Sequence, residues 1–110
     1  FFSTEHNIQY GKNISQLAGE KPFVIDTSRN GLGPTENYEW CNPSGRALGT
    51  ESTGETNNSI VDAYLWIKVP GESDGSCNGG PIAGAFWAEY AVNLAKRAGW
   101  LNIKTIALYN

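Results

Sequence analysis

The sequence predicts an α/β protein whose strands pair in parallel. Two short apolar runs are typical of strands inside a parallel sheet, and two segments with helical spacing of apolar residues flank them. A long polar stretch separates the two runs and leaves room for the crossover that parallel strands need. Because the order is helix, strand, long loop, strand, helix in a chain of 110 residues, we expect one small domain.

The first element is predicted to be a helix over residues 4–18. Ser3 or Thr4 supplies its N-cap, and Gly19 ends it. The apolar stripe that should face the sheet consists of Ile8, Gly11, Ile14 and either Leu17 or Ala18. Residues 23–25 then form the first predicted strand, which we expect to be buried on both faces.

A long loop and a second strand follow. Residues 32–60 are rich in Gly, Pro, Asn, Ser and Thr, the residues that dominate turns. Within this loop we expect residues 51–59 to be a mobile tip at the surface. The second strand is predicted over residues 63–68, and it too should be buried.

The last strong element is a helix predicted over residues 83–98. Phe86, Tyr90 and Leu94 are spaced to share one face, and Gly99 ends the helix. Residues 101–109 are compatible with a further strand.

Composition argues against two classes of function. The net charge is −3, and the eight Lys and Arg residues are nowhere clustered, so we expect no nucleic-acid partner. The apolar runs are too short to cross a membrane. Four Trp and five Tyr suit carbohydrate better, because flat rings stack on sugar faces. The chain contains no Met and begins without signal-peptide features, so we expect a processed protein or a piece of a longer one.

Polar side chains follow both predicted strands, where parallel α/β folds build their sites. Glu72 and Asp74 are two residues apart and can face one cleft, and a nearby Lys68 would keep one of them ionised. A solvated polar turn is the plain alternative. The residues of this kind are Asp26, Ser28, Arg29 and Asn30 after the first strand, and Lys68, Glu72 and Asp74 after the second.

Other chemistries lack the necessary residues. His6 is the only histidine and lies in the first turn of a helix, which disfavours a Ser-His-Asp triad or a zinc site. We therefore expect no metal and no cofactor. Carboxylates beside aromatic rings point instead to glycoside hydrolysis. The two cysteines, Cys41 and Cys77, fit either one disulfide in an oxidising compartment or two buried thiols.

Several blocks of the chain resemble glycoside hydrolase family 6. The resemblance covers about residues 3–98, in the family's order, and residues 99–110 match nothing recognised. The blocks are FVIDTSRNG at 23–31, EWCNP at 39–43, GRALG at 45–49, DAYLWIK at 62–68 with PGESDG at 70–75, and the segment 80–87.

The resemblance implies the C-terminal portion of a distorted seven-stranded parallel α/β barrel that cleaves β-1,4-glucan with inversion. It is closer to the bacterial endoglucanases than to the fungal exo-acting enzymes. Asp74 matches the aspartate proposed as catalytic base. Lys68 and Glu72 match residues that bind sugar hydroxyls near the cleavage point, and Trp40 matches a ring on which a glucosyl unit stacks.

The resemblance also implies a Cys41–Cys77 disulfide. Asp26 and Arg29 fall in a family block, and we interpret them as an internal ion pair that shapes the cleft floor. The implied protein is secreted and binds cellulose or a β-glucan chain.

The general acid of the family lies upstream of this chain. A whole α/β barrel needs about 200 residues or more, so we expect the N-terminal half of the barrel as a further partner. The alternatives are a non-catalytic carbohydrate-binding fragment and a structural extracellular domain.

Overall fold

The computed structural model describes residues 2–99 and contains two helices and two strands. In chain order these are α1 (Thr4–Leu17), β1 (Phe23–Asp26), β2 (Val61–Leu65) and α2 (Ala88–Arg97). The two strands pair in parallel, with a register irregularity between Phe23 and Val24. The predicted α/β class with parallel pairing is therefore confirmed. The strand predicted at 101–109 lies outside the described residues.

Helix α1 forms where the sequence predicts it. The Ser3 hydroxyl accepts a hydrogen bond from the N–H of His6 and caps the helix. At the other end Gly19 has a φ of +77°, a left-handed conformation that costs glycine little. The predicted bounds of this helix are thus correct to within one residue.

The predicted inner face of α1 is only partly right. Gly11 lies so close to the ring of Phe23 that a Cβ there would be 2.3 Å from it, and the buried hydroxyl of Ser15 donates to the carbonyl of Lys21. Leu17, in contrast, is 91% exposed. Within the described residues the sheet ends at β1, so the far end of the stripe has nothing to pack against.

The two strands are less buried than we expected. Ile25 and Val61 are buried, but Val24 of β1 is 42% exposed. The expectation of burial on both faces is therefore wrong for the described part of the chain, because α1 covers only part of one face. Strand β2 also starts two residues earlier than predicted and ends at Leu65.

Helix α2 begins at Ala88, five residues later than predicted. The segment just before it is extended and pairs with residues 71–73 instead. The N–H of Ser73 donates to the carbonyl of Ala85, and the N–H of Trp87 donates to that of Gly71. Phe86 therefore precedes the helix and is exposed, whereas Leu94 is fully buried as predicted.

The long connection between the strands is tied down at its tip. Thr53 and Tyr64 exchange both main-chain hydrogen bonds at 3.0 Å, and the indole N–H of Trp66 donates to the carbonyl of Thr50. The predicted surface tip is thus fastened to β2. Neither helix in residues 2–99 is long and apolar enough to cross a membrane.

Candidate active site

A cleft of about 270 Å³ lies at the carboxyl ends of β1 and β2. Parallel strands end at the same edge of a sheet, so the loops that follow them meet there. Of the four residues to which the resemblance gives roles in catalysis or sugar binding, Asp74, Lys68 and Trp40 line this cleft. Glu72 does not line it.

Asp26, the last residue of β1, joins the two loops. One carboxylate oxygen accepts from the N–H of Ser28 at 2.9 Å, and the other accepts from the N–H of Lys68 at 3.1 Å. Both oxygens of Asp26 are therefore engaged by the main chain. The expected ion pair between Asp26 and Arg29 is absent from the described contacts, and that interpretation is wrong.

Arg29 instead crosses to the second loop and ties it together. Its Nε donates to the carbonyl of Pro70 at 2.9 Å, and its Nη2 donates to the carbonyl of Glu72 at 2.6 Å. Its Nη1 lies 2.7 Å from Oδ2 of Asp74. The side chain of Arg29 is only 9% exposed, so the charge of this guanidinium is balanced by Asp74.

Asp74 is held by three donors from three parts of the chain. Besides Arg29, the N–H of Asn42 donates to Oδ2 at 2.8 Å, and the Nζ of Lys68 lies 3.0 Å from Oδ1. A carboxylate has about four acceptor positions, so one position remains on Oδ1. The Asp74 side chain lines the cleft and is 13% exposed.

These contacts keep Asp74 ionised. Burial raises the pKa of its carboxyl, but the hydrogen bond from Asn42 and the charges of Lys68 and Arg29 lower the pKa more. The pKa of Asp74 in the folded protein is therefore below its ordinary value of 3.8. The prediction that Lys68 keeps one carboxylate of this loop ionised is right for Asp74.

Asn42 is a site residue that sequence reasoning missed. It is fully buried, and its amide oxygen accepts from the N–H of Asp74 at 2.8 Å. Its amide nitrogen donates to the carbonyls of Gly75 and Cys77. Its φ of +47° is left-handed, a conformation in which asparagine is enriched. The available signal was an asparagine between a cysteine and a proline inside a family block.

The Cys41–Cys77 disulfide is present, with the two Cα atoms 6.2 Å apart. Cys41 directly precedes Asn42 in the chain, and the bond joins two residues that are 36 apart in sequence. The bond therefore fixes the long loop that carries Asn42 against the loop that carries Asp74.

Trp40 lies on the rim of the cleft with 68% of its surface exposed. Glu39 beside it accepts a hydrogen bond from the amide of Asn78. The Glu72 main chain helps to hold Arg29, but its carboxylate is not among the groups that line the cleft. Trp40 and Lys68 thus lie in one cleft with Asp74, and the expectation that Glu72 faces the same cleft is wrong.

The geometry suits sugar chemistry driven by a carboxylate. An ionised aspartate with one open acceptor position can hold a water, and an exposed indole nearby can stack on a pyranose ring. Among residues 2–99, no three His, Cys, Asp or Glu side chains are grouped to hold a metal ion.

Comparison with known proteins supports this interpretation. The family model described as Glycosyl hydrolases family 6 matches residues 3–98. Endoglucanase A of Cellulomonas fimi is 55% identical over 98 residues, which are 89% of this chain and 21% of that protein. Probable 1,4-beta-D-glucan cellobiohydrolase C of Aspergillus terreus is 47% identical over 57 residues, which are 49% of this chain and 12% of that protein.

A solved structure agrees with these sequence matches. The endoglucanase Cel6 from Mycobacterium tuberculosis, in complex with methyl-cellobiosyl-4-deoxy-4-thio-β-D-cellobioside, has a TM-score of 0.84 and 54% identity to this chain. That match covers 90% of this chain and 35% of the solved chain. This chain spans about a fifth to a third of the length of these two endoglucanases. The resemblance is confirmed, and the chain belongs to glycosyl hydrolase family 6.

Proposed function

We propose that this chain is the C-terminal part of a cellulase catalytic domain that hydrolyses β-1,4-glucosidic bonds in cellulose or β-glucan with inversion. Asp74 serves as the catalytic base, which holds and deprotonates the attacking water. The single observation that carries this proposal is the Asp74 carboxylate, which lines the cleft and is kept ionised by Arg29, Lys68 and Asn42 with one acceptor position remaining.

Trp40 and Lys68 bind the sugar chain. The exposed indole of Trp40 offers a flat apolar face to a glucosyl unit. The ammonium of Lys68 has one partner at Asp74 and further N–H donors for sugar hydroxyls. The carboxylate of Glu72 lies outside the cleft lining, and we assign it to a sugar hydroxyl that approaches from the side.

The general acid belongs to a part of the catalytic domain upstream of this chain. An inverting glycosidase needs a protonated carboxylic acid on the leaving-group side, about 6.5–9.5 Å from the base. Asp26 does not suit this role, since both of its oxygens already accept main-chain hydrogen bonds. Glu72 does not line the cleft.

The rest of the domain completes a seven-stranded barrel on the open side of β1. An apolar groove of about 470 Å³ runs between α1 and β1, and Tyr10, Ile14, Phe23 and Val24 help to line it. Its occupant in this proposal is the preceding strand and helix of the same barrel, since the matched relatives are about two and a half to four times as long as this chain.

We further propose endo-acting cleavage by a secreted enzyme. This proposal is supported by the matched relatives, since both the Cellulomonas fimi and the Mycobacterium tuberculosis proteins are named endoglucanases. A disulfide is typical of proteins folded in oxidising compartments.

The decisive test uses two variants of the complete catalytic domain. Asp74→Asn should lower the turnover of soluble cellulose by roughly 10²–10⁴, as loss of a general base does, and should change binding much less. Trp40→Ala should weaken binding by about 1 kcal/mol through lost stacking, and it should change turnover much less. Turnover is measured by reducing-sugar release, and binding is measured by calorimetry with cello-oligosaccharides.

A near wild-type turnover of Asp74→Asn would show that another group activates the water. An inactive wild-type domain that still binds cello-oligosaccharides through Trp40 would favour the alternative, a non-catalytic carbohydrate-binding function. Analysis of the anomer first released distinguishes inversion from retention.

A further inference from the structure

Tyr90 of α2 contacts Arg29, a partner of Asp74, and Pro43, the chain neighbour of a second partner. The Cζ of Arg29 lies 4.6 Å from the centre of the Tyr90 ring, within the range of a cation–π contact. The hydroxyl of Tyr90 donates to the carbonyl of Pro43 at 2.6 Å. Pro43 follows Asn42 directly, so Tyr90 contacts one donor to Oδ2 of Asp74, Arg29, and the chain neighbour of the other donor, Asn42.

The ring of Tyr90 also contacts Trp87, the residue before α2. The rings of Trp87 and Tyr90 stack with centroids 5.2 Å apart and an interplanar angle of 21°. The Tyr90 ring therefore contacts both the guanidinium of Arg29 and the indole of Trp87. These contacts restrict the ring, and the ring in turn restricts the guanidinium of Arg29.

We propose that Tyr90 is a positioning residue for Asp74, whose ring holds the Arg29 guanidinium and whose hydroxyl holds the Pro43 carbonyl beside Asn42. This inference rests on the proposed role of Asp74 in hydrolysis. Tyr90 itself does not line the cleft that Asp74 lines. Burial raises the pKa of Tyr90 above its ordinary value of 10.0, so its hydroxyl keeps the proton that it donates to Pro43.

The position of Arg29 controls how firmly Asp74 stays ionised, because an adjacent cation lowers the pKa of a carboxyl. Loosening Arg29 or Asn42 should therefore raise the pH at which Asp74 titrates. The variants described below leave the other charged and titratable side chains of this region unchanged. The charged and titratable groups around Asp74 and Tyr90 are Arg29 and Lys68 in contact with the carboxylate, Asp26, Glu39 and Arg46 around the cleft, and Arg97 on α2.

The test is a pH titration of the complete catalytic domain by carbon-13 NMR of the aspartate carboxyls, with Asp74→Asn used to assign the Asp74 signal. Tyr90→Leu removes both contacts, and its Asp74 titration midpoint should move to higher pH. Tyr90→Phe keeps the ring but loses the hydroxyl, so its midpoint should move less. The acid limb of the kcat/KM profile should follow the same order.

Turnover gives an independent measure. Tyr90→Leu should lower kcat by roughly tenfold, since small displacements of a catalytic group cost rate, while KM stays within about twofold. Leu94→Ala is the control for stability, because Leu94 is fully buried on the same helix. That variant should unfold at lower temperature without moving the Asp74 titration.

A further variant covers the case in which Tyr90→Leu does not fold. A ring-fluorinated phenylalanine at position 90 keeps the shape of the ring but weakens its negative face, so its Asp74 midpoint should exceed that of Tyr90→Phe. Equal midpoints for all folded variants and the wild type would overturn the proposal. The NMR titration decides this even if the wild-type domain proves inactive, in which case only the proposed function fails.

Discussion

Asp74 illustrates at the scale of one residue how a site is set by its partners. Its carboxylate accepts from Arg29 and Asn42 on one oxygen and contacts Lys68 on the other. The donors that keep it ionised also occupy most of its acceptor positions. A base held in this way has a fixed direction and a low pKa, which favours the orientation of water over strong proton affinity.

The lowered pKa predicts how stability depends on pH. Because the pKa of Asp74 is lower in the folded protein than its ordinary value of 3.8, its contribution to stability is fully present above that value and is lost as pH falls through the folded pKa. One such group changes the free energy of unfolding by at most about 1.4 kcal/mol per pH unit.

Thermal unfolding of the complete domain from pH 6 downwards checks this at pH intervals of about half a unit. The wild type should lose stability in acid more steeply than Asp74→Asn, whose side chain does not titrate. Asp62→Asn is the matched control, because Asp62 is exposed on β2, and its profile should run parallel to that of the wild type. Parallel profiles for Asp74→Asn and wild type would contradict the prediction.

At the scale of elements, local patterns predicted the bodies of α1 and β1 and the parallel pairing. They failed where a contact distant in sequence decides the structure. Residues 83–87 belong to the predicted helix, yet the main chain of this segment pairs with residues 71–73, and α2 begins only at Ala88. The spacing of apolar residues depends only on neighbours along the chain. It therefore does not reveal that pairing with a distant segment competes with helix formation here.

Contacts between residues distant in sequence were also the part of the site that the sequence did not predict. The resemblance placed Asp74, Lys68 and Trp40 correctly because these residues occupy recognisable blocks. The interpretation of Arg29 as the partner of Asp26 failed because nearness in sequence was taken for nearness in space. The real partners of Arg29 lie 41 to 45 residues away. Asn42 and Tyr90 were missed as site residues because neither belongs to a residue type that signals catalysis.

The Cys41–Cys77 disulfide should stabilise the fold by joining the two loops of the site. By chain entropy, a bond that spans 36 residues should contribute about 4 kcal/mol to stability. The double variant Cys41→Ser with Cys77→Ser should therefore unfold at a clearly lower temperature. Ser76→Ala, at an exposed position beside Cys77, should not.

Mass spectrometry of an unreduced digest checks the pairing itself. A peptide pair linked through Cys41 and Cys77 should appear and should separate on reduction. Recovery of both residues as alkylated free thiols from unreduced protein would contradict the bond.

At the scale of the whole molecule, the described fold leaves much apolar surface uncovered. Its sheet has two strands within residues 2–99, and two-stranded sheets are marginal without further packing. Tyr10 and Val24 are exposed along the groove beside β1, and Ile67 is exposed just after β2. Such a surface, together with the edge of β1 that has no partner strand within residues 2–99, favours self-association.

We therefore predict that these 110 residues, expressed alone, release no reducing sugar from carboxymethylcellulose above a heat-killed control. The expected reason is the missing acid, without which leaving-group protonation is lost. Light scattering should report oligomers. A monomeric fragment whose activity is abolished by Asp74→Asn would overturn this prediction. Glu39→Gln, introduced into the active fragment with Asp74 intact, would then test whether the carboxylate on the cleft rim serves as the acid.

The long reach of Arg29 has a consequence for the order of folding. Its contact with Asp74 closes a span of 45 residues, and the contact of Asn42 with Asp74 closes one of 32. Contacts of such high order form late, because the chain entropy lost in closing them precedes any gain. Until the second loop arrives, the guanidinium must stay in water, since burying it unpaired costs several kcal/mol. The pairing of Phe23 with Val61 closes a comparable span of 38 residues, so we expect the cleft to assemble together with the parallel sheet and not before it.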